Sequence, residues 1–177
     1  GGDTAAARTL ATAAGAVSTP QLRNMGTLGG NVCVDTRCNY YNQSYQWRKA
    51  VNFCMKKDGE ICLVAPGSPR CWAVSSSDTA PALWSLGASV RLAGPAGERT
   101  IPISALYQDD GIQYLTKQPG DIVTEIVLPP ADGARSIYLK LRRRGSFDFP
   151  VLGVAATLHM DGDTVRQARI VLGAVAS

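Results

Sequence analysis

Four of the chain's five cysteines crowd into one stretch, Cys38, Cys54, Cys62 and Cys71, at the spacing C-x15-C-x7-C-x8-C. Thiolates are soft ligands, and four of them gathered by one loop can hold zinc or an iron–sulfur cluster. No histidine lies among them. The one histidine, His159, stands far downstream, so the candidate site is all sulfur. The spacings are wide and uneven, unlike the paired C-x2-C knuckles of zinc ribbons. Long arcs between ligands suit a loop wrapped around a cubic cluster better than one wrapped around a single ion. Six cations (Arg37, Arg48, Lys49, Lys56, Lys57 and Arg70) stand against Asp35, Asp58 and Glu60, a local net charge of +3. Nearby cations lower the cost of an anionic thiolate centre, whether cluster or zinc, so charge does not separate the two. Disulfides and unrelated buried thiols are the remaining readings of these cysteines.

A second stretch, QLRNMGTLGGNV at residues 21–32, places Gly26, Gly29 and Gly30 within five residues. Glycines permit positive φ and remove the Cβ that would meet a ligand. Successive N–H groups in such a turn can form a nest for an anion. Thr27 and Asn31 add side-chain donors and acceptors, and Arg23 adds a fixed charge. The pattern is neither GxGxxG nor a P-loop, and an ordinary glycine-rich turn is the alternative. The run Arg142-Arg143-Arg144 sits in a strand-like pattern and reads as a solvated face, so nucleic-acid binding is not expected. There is no Ser/His/Asp set, no HExxH and no paired-carboxylate arrangement, and His159 is given no role.

The elements that must position these residues follow from the rest of the chain. With 177 residues, 45% of them apolar and 18% charged, one or two small globular domains are expected. No stretch approaches the roughly twenty apolar residues of a membrane span. The Ala-rich N-terminus carries Asp3 and Arg8 and does not read as a signal peptide. The expected compartment is therefore the cytoplasm, where cysteines do metal or redox work more often than they form disulfides. Residues 4–17 read as a helix with Asp3 or Thr4 as N-cap and Pro20 beyond its end. Asp78 is a candidate N-cap for a short helix, 80–86, stopped by Gly87. A hairpin is expected over 88–102, one helical turn at ISALY, and a strand over 121–130 that ends at two prolines. SIYLKLRRR alternates, with Ile137, Leu139 and Leu141 on one face and Tyr138, Lys140 and Arg142 on the other. Two further strands flank the turn Asp161-Gly162-Asp163. A boundary is plausible within PPADGARS, at 130–136.

RNMGTLGGN, SSSDTAPAL and YLKLRRRGSFDFP, in that order, resemble the FAD-binding subunit of the molybdenum hydroxylases, the xanthine dehydrogenase and CO dehydrogenase family. Most members pass from GGN to the SD segment in a short loop. Here about forty residues intervene and carry the four cysteines. That insertion, with RCNYYNQS, WRK and the cysteine spacing, resembles the β subunit of the 4-hydroxybenzoyl-CoA reductases. The flavin subunit of a periplasmic aldehyde oxidoreductase also carries a cluster here, with a cysteine spacing less like this one.

The resemblance implies an α+β fold. It consists of the second subdomain of a vanillyl-alcohol-oxidase-like (PCMH-type) FAD-binding domain, residues 1–132 with an iron–sulfur loop inserted at 34–73. The start of a small CO-dehydrogenase-flavoprotein-type C-terminal domain follows at 133–177. It implies that Cys38, Cys54, Cys62 and Cys71 ligate a [4Fe–4S] cluster. Thr27, Gly29, Gly30 and Asn31, with Arg23 nearby, would touch FAD. Asp78 would hydrogen-bond the cofactor, and Lys140 would lie near the isoalloxazine ring. Cys33 matches no ligand and reads as a small buried residue. The implied partners are a large molybdopterin subunit, a small [2Fe–2S] subunit and a ferredoxin-like donor, in a dimer of heterotrimers with no membrane contact. The implied reaction removes the phenolic hydroxyl of 4-hydroxybenzoyl-CoA; an oxidative molybdenum hydroxylase and a zinc-stapled binding module are the alternatives. The family's flavin subunit begins with another subdomain that bears a first glycine-rich diphosphate loop. This chain lacks it, so a fragment that keeps a cluster and binds FAD weakly is expected.

Overall fold

The computed structural model describes residues 4–130, 132–145 and 147–177. Asp3, one of the two expected N-caps, lies outside them. Thr4 caps α1 (Ala5–Gly15), its hydroxyl accepting from the Ala7 N–H at 3.2 Å. Two short helices follow, α2 (Pro20–Arg23) and α3 (Leu28–Val32), capped by Thr19 and Thr27. In the cysteine stretch α4 (Tyr45–Ala50) is capped by Ser44. α5 (Thr79–Ser85) lies at the centre of the fold, with Thr79 to Leu83 and Ser85 all buried.

Six strands form two antiparallel sheets. β1 (Ser89–Gly94) and β2 (Gly97–Pro102) make the expected hairpin, and β3 (Ile122–Val127) pairs with the other edge of β1, giving the order β2-β1-β3. A one-turn 3-10 helix, Ile103–Leu106, stands at the expected ISALY turn. β4 (Arg135–Leu141), β5 (Leu152–Asp161) and β6 (Thr164–Gly173) form the second sheet in that order. Its β5–β6 turn uses Gly162 at φ +55°, a left-handed conformation that glycine adopts without Cβ strain. No helix among the described residues is long and apolar enough to cross a membrane.

Two cores meet at α5. Leu83 packs with Val32, Ala88, Val90, Ile103 and Leu106 beside the first sheet. Ala82 packs with Ala13 of α1 and with Tyr138 and Ala155 of the second sheet. Burying a Leu, Ile or Val side chain contributes about 1.5–3 kcal/mol each, so the first core carries most of the apolar stabilisation. The second core is built from small and polar groups. The Thr9 and Ser136 hydroxyls hydrogen-bond at 2.8 Å, and the Thr157 hydroxyl donates to Ser85 Oγ at 3.2 Å.

The alternation expected in SIYLKL is present, with the polar side inward. Tyr138 is buried and Lys140 turns in beside it, while Ile137, Leu139 and Leu141 face outward, more than half exposed. The inward polar groups are tolerated because each finds a partner, which offsets the cost of taking it out of water.

Candidate cofactor and metal sites

Residues 26–32 adopt a conformation other than the positive-φ nest the glycines suggest. The glycines at positive φ are Gly87, Gly97, Gly133 and Gly162, none of them in this segment. Thr27 supplies the reason. Its hydroxyl accepts the Gly30 N–H at 2.9 Å and starts a helical turn that Gly29 and Gly30 continue. A Cβ at Gly29 would make ordinary contact with Val123, at 3.9 Å, and one at Gly26 would stand 3.5 Å from Leu22 O. Nothing within the chain therefore requires glycine at either position; both leave bare backbone. Gly26 and Gly30 line a cleft of about 500 Å³ with Val17, Arg23, Met25, Thr27, Asn31 and Thr79, whereas Gly29 faces Val123 instead. Arg23, in the cleft wall, donates to Val17 O at 2.7 Å.

Asn31 is held from a distance in sequence. Its Oδ1 accepts from the Ser77 hydroxyl at 2.9 Å, the Thr79 N–H at 3.2 Å and the Thr79 hydroxyl at 2.5 Å. Ser77 Oγ in turn accepts the Ala80 N–H at 3.0 Å. Ser77 and Asn31 thus cap α5, and the expected cap, Asp78, makes no side-chain capping bond.

The Asp78 carboxylate is turned the other way. It accepts from the Tyr138 hydroxyl at 2.7 Å and the Lys140 ammonium at 2.9 Å, and Lys140 also donates to Ala16 O at 2.9 Å. Both charged side chains are at most 5% exposed. Burial pushes the Asp78 carboxyl above its ordinary value, against the pull of Lys140 and Tyr138. Burial, with the Asp78 charge, pushes the Tyr138 phenol up as well. Lys140, Asp78 and Tyr138 therefore form a closed set. The set meets the cleft through the chain: Asp78 precedes Thr79, and Ala16, which accepts from Lys140, precedes Val17, and both Thr79 and Val17 line it.

The cysteine loop is closed at its neck. Arg37 and Val74 exchange both backbone hydrogen bonds at 2.9 Å. Inside the loop Asn52, Phe53 and Asp58 adopt positive φ, uncommon for residues with a side chain. Around Cys54 its carbonyl accepts from Lys57 N at 2.8 Å and Gly59 N at 3.1 Å. Arg48 donates to the Asp58 carboxylate at 2.8 Å. All five cysteines are free. Cys54, Cys62 and Cys71 are buried and Cys38 is partly so. The N–H groups of Tyr41 and Ala73 point at the sulfurs of Cys38 and Cys71, each at 3.4 Å. Burial pushes the Cys71 thiol up; the Ala73 N–H and Lys56 pull against it, while Cys62 and Cys38 are near enough to add to the rise. Cys33 lies elsewhere, packed against the first core.

The donor chemistry of the loop fits a thiolate-ligated centre: free thiols, three of them buried, with N–H groups aimed at two sulfurs. Among the described residues no three His, Cys, Asp or Glu side chains are grouped so as to hold a metal ion. A single zinc with Zn–S bonds of about 2.3 Å needs its sulfurs nearly in contact, and that close set is not formed. The glycine segment fits a flavin nucleotide through its cleft, its bare backbone and its polar side chains. Sequence reasoning missed the roles of Ser77 and Tyr138 and did not separate Lys56 from the other five cations of the loop. Their roles depend on partners far along the chain, and only Ser77, three residues before Ala80, carried a local capping signal.

The family described as the FAD binding domain in molybdopterin dehydrogenase matches residues 4–131. The aldehyde oxidoreductase FAD-binding subunit PaoB of Escherichia coli is 34% identical over 165 residues, 88% of this chain and 51% of PaoB. The carbon monoxide dehydrogenase medium chain of Afipia carboxidovorans is 28% identical, over 91% of this chain and 42% of its own length. The chain thus spans about half the length of the curated relatives it matches most strongly. In fold, it is similar to carbon monoxide dehydrogenase of Hydrogenophaga pseudoflava, with a TM-score of 0.64 at 24% identity over 94% of this chain and 44% of the other. Quinoline 2-oxidoreductase of Pseudomonas putida 86 gives the same TM-score, 0.64, at 20% identity over 99% of this chain and 48% of that one. These likenesses bear out the α+β, PCMH-type fold expected, and the chain belongs to the family of FAD-binding domains of molybdopterin dehydrogenases.

Proposed function

We propose that this chain is the flavin and iron–sulfur relay portion of a molybdenum enzyme, with FAD against the glycine segment and a [4Fe–4S] cluster in the loop at 34–73. The observation that carries this reading is the set of four free cysteines, three buried, in a loop closed at its neck within a domain of the FAD-binding family. When bound, FAD exchanges electrons in pairs on one side and singly on the other, and a cluster passes them singly. The chain's own work is to bind, orient and shield. Gly26 and Gly30 present backbone to the cleft, Thr27 and Asn31 line it, and Arg23 adds a cation to its wall. Asp78 and Lys140, which the resemblance assigns to the flavin, reach it directly only if their pair opens. In the closed arrangement they fix Ala16 and the 77–79 turn behind the cleft. Residues 1–132 and 133–177 are read as two domains.

The partners proposed are a large molybdopterin subunit, a small [2Fe–2S] subunit and a ferredoxin-like donor, in a cytoplasmic dimer of heterotrimers. The reaction proposed is reductive removal of the phenolic hydroxyl of 4-hydroxybenzoyl-CoA, supported by the likeness of RCNYYNQS, WRK and the cysteine spacing. A second reading, oxidation of an aldehyde with electrons running outward, is supported by the identity with PaoB.

Metal analysis tests the first level of the proposal. Protein purified without oxygen should hold about four iron and about four acid-labile sulfides per chain. Cys38→Ser, Cys54→Ser, Cys62→Ser and Cys71→Ser should each lose iron, and Cys33→Ser should keep it. One zinc per chain without sulfide would overturn the cluster. The holoenzyme then decides the reaction: turnover of 4-hydroxybenzoyl-CoA with a reduced low-potential donor supports reduction, and turnover of aldehydes with an oxidant supports the second reading.

A further inference from the structure

We propose that Lys56 is a positioning residue that holds a fixed positive charge against the cysteine site and raises its reduction potential. The inference rests on the cluster reading above and names the residue that tunes it.

Lys56 stands two residues after Cys54, with its side chain only 6% exposed. Lysine is rarely buried unless paired. Here the three ammonium protons meet three acceptors: Asp35 Oδ1 at 2.9 Å, Thr36 Oγ1 at 2.8 Å and Gly111 O at 2.6 Å. The rings of Tyr41 and Tyr114 flank it, with centroids at 4.9 and 5.7 Å. Such a charge has no freedom to swing into water.

Gly111 carries the link to sulfur. Its N–H donates to Cys71 O at 2.9 Å. A Cβ on Gly111 would stand 2.8 Å from Cys71 Sγ and 2.7 Å from Ala73 N, so glycine here is a steric requirement. One residue, Gly111, therefore lies against the Cys71 side chain and accepts from the Lys56 ammonium.

The counter-charge lies on the wet side. The Asp35 side chain is 38% exposed, so water screens its carboxylate while the ammonium stays shielded. Toward the interior Lys56 remains a net cation. Reduction by one electron, taken from a low-potential donor, adds one negative charge at the site. A shielded cation nearby stabilises that form over the oxidised one.

A redox titration of the purified, cluster-bearing protein, followed by the electron paramagnetic resonance of the reduced state, reads this directly. Lys56→Met should lower the potential. Lys56→Arg should restore it, and Lys57→Met, which removes an exposed charge from the same loop, should leave it near the wild-type value. Thr36→Val removes a hydrogen bond to Gly111 O and one of the three acceptors of Lys56 without removing charge; Asp35 and Gly111 still hold the ammonium, and the potential should stay in place. Asp35→Asn should shift the potential upward, the opposite sign. An unmoved potential in Lys56→Met, or an equal fall in Thr36→Val, would overturn the inference. If Lys56→Met does not retain iron, Asp35→Asn decides by itself: an unmoved or lowered potential overturns it. Wild-type protein without iron and sulfide removes the cluster reading and this inference together, whereas an intact cluster with no response to these charges removes only the role of Lys56.

Discussion

Each half of the candidate site is braced by a buried lysine, and the two lysines differ in where their counter-charge lies. Lys56 joins the cysteine loop to Gly111, and Lys140 joins the second sheet to Ala16 behind the cleft at the glycine segment. Each ammonium donates to one carboxylate at 2.9 Å and to one backbone carbonyl. Asp78, the partner of Lys140, is as buried as the lysine, and Tyr138 adds a hydrogen bond to it. Asp35, the partner of Lys56, reaches water. A pair enclosed on both sides is neutral to its surroundings and acts as a structural clasp. A pair with one wet partner leaves a residual charge inside the protein. The same two residue types thus brace the cleft wall in one place and, on the inference above, supply an electrostatic field to the cysteines in the other.

The largest expected effects come from breaking each pair on one side. Lys140→Met strands the Asp78 carboxylate in the interior, and loss of one member of a buried pair costs about 3–5 kcal/mol. Lys56→Met strands a carboxylate that already touches solvent, with an expected cost of about 1–2 kcal/mol. Removing both charges behind the cleft, as Lys140→Met with Asp78→Asn, should recover a large part of the loss, because no unpaired charge remains buried. Denaturant midpoints at constant slope measure all three. Equal losses for Lys140→Met and Lys56→Met would abolish the distinction between the two pairs.

Asn31 sharpens the comparison from the flavin side. One oxygen accepts three hydrogen bonds from Ser77 and Thr79, both buried. Asn31→Ala leaves those donors without a partner, at about 2–3 kcal/mol. Asn31→Asp keeps the acceptor and should keep most of the stability. Neither variant should change the iron content, since the contacts of Asn31 lie outside the cysteine loop. Iron lost from Asn31→Ala would mean that the two halves are one cooperative unit.

What the sequence disclosed follows the range of the interaction. Turns and hairpins are local, so Asp161-Gly162-Asp163 and the strands around it stand where expected. The cysteines were legible as types, but the path between them was not. Asn52, Phe53 and Asp58 at positive φ carry no glycine signal. The glycines of 26–30 suggested a nest, yet the hydroxyl of Thr27, a local cap, made a helical turn of them instead. The alternation of β4 was legible, but which face turns inward was not. That depended on Asp78 and Ala16, 62 and 124 residues from Lys140. The same distance hid Lys56, one of six similar cations in the loop until Gly111 is placed beside it.

The smallest expected effect is a matter of pH, and it tests whether the Asp78 pair is as enclosed as its geometry indicates. Burial, the larger influence, raises the Asp78 carboxyl above its ordinary value of 3.8, with Lys140 and Tyr138 opposing. The folded state then holds the proton more tightly than the unfolded chain. Its contribution to stability is full below 3.8 and is lost as pH rises through the raised value. Asp121 has the opposite sign. The hydrogen bonds from Arg99, with that of the Gln118 N–H, hold its carboxyl below 3.8. Its contribution is present above 3.8 and is lost as pH falls through the lowered value. On acidification the two carboxyls therefore work against each other. Asp121→Asn should flatten the acid limb of the stability profile. Asp78→Asn should steepen it, by removing the group whose protonation favours the folded state. Unfolding followed from about pH 7 to about pH 3 measures both slopes. A wild-type slope in Asp78→Asn would mean that Lys140 cancels the cost of burial at Asp78. The flavin wall would then rest on an ion pair fully repaid by its own attraction, and the contrast with Lys56 would rest on exposure alone.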